Sequence, residues 1–377
     1  MPARRSLFLL LGIIATCALG CGAKPASNAT SSSTSATSNE AAGGARLKRI
    51  VLLNNTDSPF WDAARAGIAK AVEDLKLSEA GFTAGMDSNT NAEDGQIEKL
   101  RQYGTQDDIV AVIISPVSAS NLAIVDELKK LKDKGVIIGC FDSDLDAKFA
   151  SLREFYVGTN NIQGGQVLGT AAKNLRPEGG QYVQFVGLGS QQNAIERMDG
   201  FTQAVGDKMV QKDRRLDDTD RARARDNVRD VIDKFPELNT LVGIWSYNAP
   251  AIVDVVKEKG VRERFTIVTF DAEQLAIQQM GDGMIDAMVV QNPFAMGYES
   301  VRYCLAKVNK DQTTLKEMFP RMGEPGGDIM DTGLKVVIPE ANTPLTPKMF
   351  ENFGKGVEVL KYSEFQKWLA DYKLTSS

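Results

Sequence analysis

Polar and aromatic side chains recur in this chain directly after short apolar runs. Asn54 follows the run 50–53, Ser115 follows 109–114, Asp142 and Ser143 follow 136–141, and Trp245 to Asn248 close 241–245. Asp271 follows 265–270, and Gln291 follows 285–290. Ser58, Phe60 and Trp61 come shortly after Asn54. Each of these polar types is also a common turn former, so the set is more informative than any member. It combines two carboxylates, planar amides and aromatic rings. Carboxylates and amides suit hydroxyls that both donate and accept, while flat rings suit C–H faces, so the chemistry is that of holding a small polyhydroxylated molecule.

Other chemistries are poorly served. The chain has no histidine, which excludes a His-based triad, a His general base and imidazole metal ligands. Gly187-Leu188-Gly189 follows an apolar run, but Gln192 stands where a dinucleotide fingerprint needs its third glycine, and no P-loop string occurs. No cofactor or metal is therefore expected. A net charge of -5 argues against nucleic acid as a partner. Asp142 and Asp271 could in principle form a glycosidase pair. With no catalytic motif beside them they read as hydrogen-bond acceptors in a binding cleft, and an enzyme is not expected.

The elements that must position these residues alternate regularly. The run 50–53 is short and apolar, as a strand buried on both faces must be, and Trp61, Ala64, Ile68, Val72 and Leu75 then recur at helical spacing. This strand, loop and helix plan repeats in two successive series of similar length. The expected fold class is α/β, with two doubly wound parallel-sheet lobes. In such sheets the loops after the strands line the ligand crevice, which is where the polar set falls. The tail shows helical character at 349–360 and 365–372.

Residues 1–21 read as an export signal: Arg4 and Arg5, an apolar stretch over 7–19, and small residues before Cys21. Ala18-Leu19-Gly20-Cys21 looks like a bacterial lipobox and marks Cys21 for lipidation; Cys17, after Ile14-Ala15-Thr16, is the rival position. The stretch 22–47 is rich in Ser, Thr, Ala and Gly and reads as a disordered tether. The chain should thus sit on the periplasmic or cell-surface side of a bacterial membrane, lipid-anchored. Cys140 and Cys304 lie in apolar surroundings and are expected as buried free thiols, with a disulfide as the alternative.

A family resemblance rests on motifs in a fixed order: SPFWDAARAG at 58–67, ISP at 114–116, FDSD at 141–144, VGTNN at 157–161, AIERMDGF at 194–201, WSYNAPAI at 245–252 and TFD at 269–271. Over about residues 48–340 the chain resembles periplasmic sugar-binding proteins of the ribose-binding type, the solute receptors of ABC importers. The resemblance implies a monosaccharide ligand, an ABC transporter permease as partner and a monomer closing about a three-strand hinge. It implies crossings near 158–160, 291–293 and 332–334. One lobe would then be 48–158 plus 292–332 and the other 159–291 plus 333–340, with 341–377 as a partly helical extension. For the site it implies that Phe60 and Trp61 pack on the sugar ring, with Asn54 and Ser58 as polar positions of the first loop. Asp142 and Asp271 would be the carboxylates, Arg197 the cationic donor, and Asn248 and Gln291 the amides. Ser143 stands where ribose binders carry arginine, Ser115 where they carry asparagine, Trp61 where they carry phenylalanine and Thr219 where they carry an aromatic. Ribose is therefore not carried over as the ligand. A co-receptor for a chemoreceptor or sensor kinase, or a binder of a non-sugar polar solute, is the alternative.

Overall fold

The computed structural model describes residues 46–89 and 93–377. The expected export signal, Cys17, Cys21 and all of the expected tether but Arg46 and Leu47 lie outside the described residues.

The first lobe opens with β1 (Lys48–Leu53), α1 (Phe60–Asp74), β2 (Phe82–Asp87), α2 (Glu93–Tyr103), β3 (Ile109–Ile114), α3 (Leu122–Asp133), β4 (Ile137–Phe141) and β5 (Phe155–Gly158). The chain then builds α4 (Asn161–Leu175), β6 (Gly180–Val186), α5 (Gln192–Val205), β7 (Met209–Leu216), α6 (Arg221–Lys234), β8 (Leu238–Gly243), α7 (Asn248–Lys259), β9 (Thr266–Phe270), α8 (Gln274–Gly281) and β10 (Ala287–Val290). It returns to the first lobe for α9 (Pro293–Val308), α10 (Gln312–Met318) and β11 (Ile329–Asp331), and ends with β12 (Leu334–Ile338), β13 (Val357–Lys361) and α11 (Tyr362–Asp371).

Two sheets result, ordered β11-β5-β4-β3-β1-β2 and β13-β12-β10-β9-β8-β6-β7. All pairings are parallel except β10 with β12. Three segments pass between the sheets: β5 into α4, β10 into α9, and β11 into β12. Central strands such as β3, β4, β8 and β9 are almost wholly buried, because helices cover both faces.

Close helix packing in each lobe depends on glycine. A Cβ at Gly165 on α4 would lie 2.2 Å from the backbone oxygen of Arg197 on α5, and one at Gly67 on α1 would lie 2.0 Å from that of Phe294 on α9. Both spaces are closed by backbone, which cannot yield as a side chain can.

The structure differs from the sequence expectation at the sheet edges. β7 and β11 were not foreseen. β7 is MVQKDRRL, with a single buried residue and no apolar alternation, and β11 has three residues. Residues 349–360 are not a helix. They form a 3-10 turn over Pro347–Phe353, then a break at Gly354 and Gly356, then β13, which pairs with β12 from Leu334–Val357 to Ile338–Lys361. Beyond it α11 buries Phe365 and Leu369 in the second lobe's core. Cys140 and Cys304 are both buried and unpaired. Among the described residues no helix is long and apolar enough to cross a membrane, and no cluster of three or more acidic or cysteine side chains could hold a metal ion.

Candidate ligand-binding site

The carboxyl ends of the two sheets face each other across a cleft whose cavity is lined by residues of both lobes. Its first-lobe wall comes from the β1–α1 loop and the end of β4. Phe60 and Trp61 occupy the first turn of α1, and Trp61 packs edge-on against Phe60 (4.9 Å) and Phe141 (5.3 Å). Asp142 follows Phe141 with φ of 61°, a left-handed conformation that a short polar side chain tolerates best. Its carboxylate accepts from Ser115 Oγ at 2.9 Å and from Asn193 Nδ2 at 3.4 Å.

The second-lobe wall repeats this construction. Asp271 follows Phe270 with φ of 63° and accepts from Gln291 Nε2 at 2.8 Å and Arg197 Nη1 at 3.4 Å. Arg197 is 1% exposed. Its guanidinium lies 4.0 Å from the Phe270 ring centre, Nε donates to Asn161 Oδ1 at 2.9 Å, and Nη2 has no hydrogen-bond partner among the described residues. Trp245 and Tyr247 add two more rings, 6.4 Å apart.

Burial dominates the electrostatics. It raises both Asp142 and Asp271 to about 6, partly offset by the Arg197 charge and by the hydrogen bonds each accepts; for Asp271 the nearby Asp142 charge adds to the rise. A third carboxylate, Asp217, lies behind the wall. It accepts from the Tyr247 hydroxyl, from Asn248 Nδ2 at 3.1 Å and from the Thr219 N–H at 2.9 Å, and burial raises it too to about 6.

Of the residues singled out from sequence, Ser58, Phe60, Trp61, Asp142, Arg197 and Asp271 line the cavity. The others stand behind it. Asn54 Oδ1 accepts from the Asn89 N–H at 2.6 Å, Ser115 supports Asp142, and Gln291 joins Asp271 to Thr159. Asn248 Oδ1 accepts from the Trp245 N–H at 3.0 Å and so shapes the loop rather than facing the cavity. Ser143 is fully buried inside the turn that Phe141 and Asp142 make. Asn55, Asn193 and Arg221 also line the cavity, with no candidate role from the sequence; Trp245 and Tyr247, from the set that follows the apolar runs, and Thr219, at an aromatic position of the resembled family, line it as well. Asn193 lies one turn before Arg197 on α5, which puts both on one face; that spacing was the available signal.

The lobes touch directly across the cleft. Asn55 Nδ2 donates to Gln191 Oε1 at 2.9 Å, Asn193 donates to Asp142, and the Ala119 N–H reaches Ser190 O at 3.5 Å. This is a closed arrangement.

Residues 49–312 match the family described as "Periplasmic binding protein domain". The chain belongs to this family of periplasmic binding proteins. The family is one of solute-binding proteins that act outside the cytoplasm. A relative, the D-apiose import binding protein of Actinobacillus succinogenes, is 26% identical over 155 residues, 41% of this chain and 47% of that protein. The chain thus spans about half the length of that curated relative. Among solved structures, GanP, a glucose-galactose binding protein from Geobacillus stearothermophilus, superposes with a TM-score of 0.67 at 21% identity, over 78% of this chain and 97% of the other. An ABC transporter solute-binding protein from Burkholderia graminis in complex with D-arabinose gives 0.68 at 19% identity, over 83% and 100%. At these identities the likeness carries the fold, which is that of the type I periplasmic binding proteins.

Proposed function

We propose that this protein is a receptor that captures a monosaccharide in the interlobe cleft and delivers it to an ABC-type importer, without catalysing a reaction. The observation that carries this reading is the set of buried polar atoms on the cavity wall with no hydrogen-bond partner among the described residues. Trp61 Nε1, Trp245 Nε1 and Arg197 Nη2 are donors, while Asn55 Oδ1 and Asn193 Oδ1 are acceptors. Leaving such groups unsatisfied costs about 1–3 kcal/mol each, so a complementary ligand gains by meeting them.

A ligand that satisfies both kinds within one small cavity needs several groups that donate and accept, which is the property of a polyol. The rings of Phe60, Trp61, Trp245 and Tyr247 offer flat apolar surface to its C–H faces. Asp142 and Asp271 then act as acceptors rather than as an acid and a nucleophile. The names of the apiose, glucose-galactose and arabinose binders support the same class of ligand. Within this reading Phe60, Trp61, Ser58, Asp142, Arg197 and Asp271 contact the sugar, and Asn54, Ser115, Ser143, Asn248 and Gln291 support them. The motif ending in Cys21 supports a lipid anchor.

A thermal-shift screen against pentoses, hexoses, deoxy sugars and polyols, D-apiose and D-arabinose among them, tests the proposal. A ligand at a hundredfold excess over its Kd adds about 2.7 kcal/mol of stability. One sugar raising the melting temperature is the expected result. No shift across the panel in a folded sample would overturn a sugar as the ligand.

A further inference from the structure

The tail of the chain is built on the second lobe and reaches the first. β13 extends the second sheet, and α11 is fixed there by Phe365, Leu369 and the stacking of Trp368 on Phe365 (5.8 Å). Past α11 the chain turns at Lys373, with φ of 56°, and runs back to the cleft. There Ser377 and Ala272 exchange two backbone hydrogen bonds, Ser377 N–H to Ala272 O at 2.9 Å and Ala272 N–H to Ser377 O at 2.7 Å. Ser377 Oγ also donates to Gln291 O at 2.9 Å. Ala272 follows Asp271, and Gln291 is the amide that donates to Asp271. These bonds tie the tail to the carboxylate side of the second lobe and to a hinge segment.

Two further contacts reach the first lobe. Ser376 Oγ donates at 3.0 Å to the backbone oxygen of Pro59, the residue before Phe60 and Trp61. The Tyr372 ring meets that of Phe294, at the start of α9, with 5.3 Å between centres. Ser376 is 2% exposed and Ser377 fully buried. Serine has little apolar surface to drive such burial, so hydrogen bonds hold both residues in place.

We propose that residues 372–377 are an interlobe strap, which positions the Asp271–Gln291 side of the cleft and fastens the closed lobes through Ser376 on Pro59 and Tyr372 on Phe294. Turning the lobes apart moves Pro59 and Phe294 away from the tail, or pulls the tail from Ala272 and Gln291. Either way buried hydrogen bonds break, so the strap favours the closed form before any ligand arrives.

The test uses ligand-free protein and is therefore independent of which solute binds. The open-to-closed ratio is read by small-angle X-ray scattering, with the melting temperature as a check on folding. Ser376→Ala is expected to raise that ratio about fivefold, the factor commanded by one net hydrogen bond. Tyr372→Ala should move it the same way, and Thr375→Ala, at an exposed position between the anchors, should leave it unchanged. An unchanged ratio in folded Ser376→Ala overturns the strap, and so does an equal shift in Thr375→Ala, which would mean general loosening of the tail.

Discussion

Asp142 and Asp271 occupy equivalent places on opposite lobes: each follows the phenylalanine that ends a buried strand, and each holds a left-handed φ near 60°. The two residues are 3% and 4% exposed, and among the described residues no lysine or arginine forms an ion pair with Asp142. Each carries a desolvation cost in the ligand-free protein that sugar hydroxyls would offset. Replacing either by alanine should weaken binding at least tenfold, because hydrogen bonds to a charged partner contribute about 1.5–3 kcal/mol. Asp142→Asn should at the same time raise the stability of the unliganded protein at pH 7 by roughly 1–3 kcal/mol. Calorimetric titration and thermal melts read the two effects. Unchanged affinity would remove that carboxylate from the site.

Affinity should fall in mild acid. Burial places both carboxylates at about 6 in the free protein, and hydroxyl donors from the ligand stabilise the ionised form. The bound-state values are then lower than the free ones, so binding is at full strength above about pH 6 and weakens as pH falls through it. The log of Kd against pH should be flat from 7 to 8 and rise below 6 with a slope approaching two protons. The unliganded protein has the opposite dependence. With folded values above unfolded ones it binds more protons than the unfolded chain between about pH 4 and 6, so this contribution to stability declines across that window as pH rises. A flat Kd from pH 5 to 8 would count against both carboxylates as acceptors.

The sequence made the alternation of strands and helices legible because buried parallel strands such as 109–114 are uninterrupted apolar runs, and helices such as α1 carry a clear period. The edge strands β7 and β11 were hidden, since an edge needs little apolar surface and half of the β7 residues are charged. In the site, Asp142 and Asp271 are legible from their places after strands, and Arg197 only through the family resemblance. The roles of Asn54 and Asn55 were not separable. Both follow β1, yet Asn54 turns to the Asn89 backbone while Asn55 reaches the cavity and Gln191. Asp217 was equally hidden, because its partners Tyr247 and Asn248 come from a loop about thirty residues away that only the β8–β6–β7 order brings alongside.

The seating of Arg197 depends on a helix contact as much as on its own side chain. Gly165→Ala places a methyl group 2.2 Å from the Arg197 backbone oxygen and 2.8 Å from the Phe201 nitrogen, so α4 and α5 must separate. Overpacking of this kind costs about 1–3 kcal/mol, and it also moves the guanidinium away from Asp271. The variant should melt several degrees lower and bind its sugar more weakly than its stability loss alone explains. Normal affinity in a folded Gly165→Ala protein would show that Arg197 tolerates the shift.

Asp217 offers a separate check on the second-lobe wall, since it touches the loop rather than the cavity. Its carboxylate takes hydrogen bonds from Tyr247, Asn248 and the Thr219 backbone, and so fixes the loop that presents Trp245 and Tyr247. Asp217→Ala leaves the Asn248 amide and the Tyr247 hydroxyl without their acceptor, a loss of about 1–3 kcal/mol for each buried group. Asp217→Asn keeps the shape and can still accept from Tyr247, but sets an amide against the Asn248 donor. The expected order of affinity is native, then Asn, then Ala, by about tenfold from first to last, with the sugar preference unchanged because no side chain that lines the cavity is replaced. The Trp245 share of the tryptophan emission, taken as the difference from Trp245→Phe because Trp61 and Trp368 also emit, provides an independent readout: in the unliganded protein it should shift to the red in Asp217→Ala as the loop loosens. Native affinity and native emission together would place Asp217 outside the support of the site.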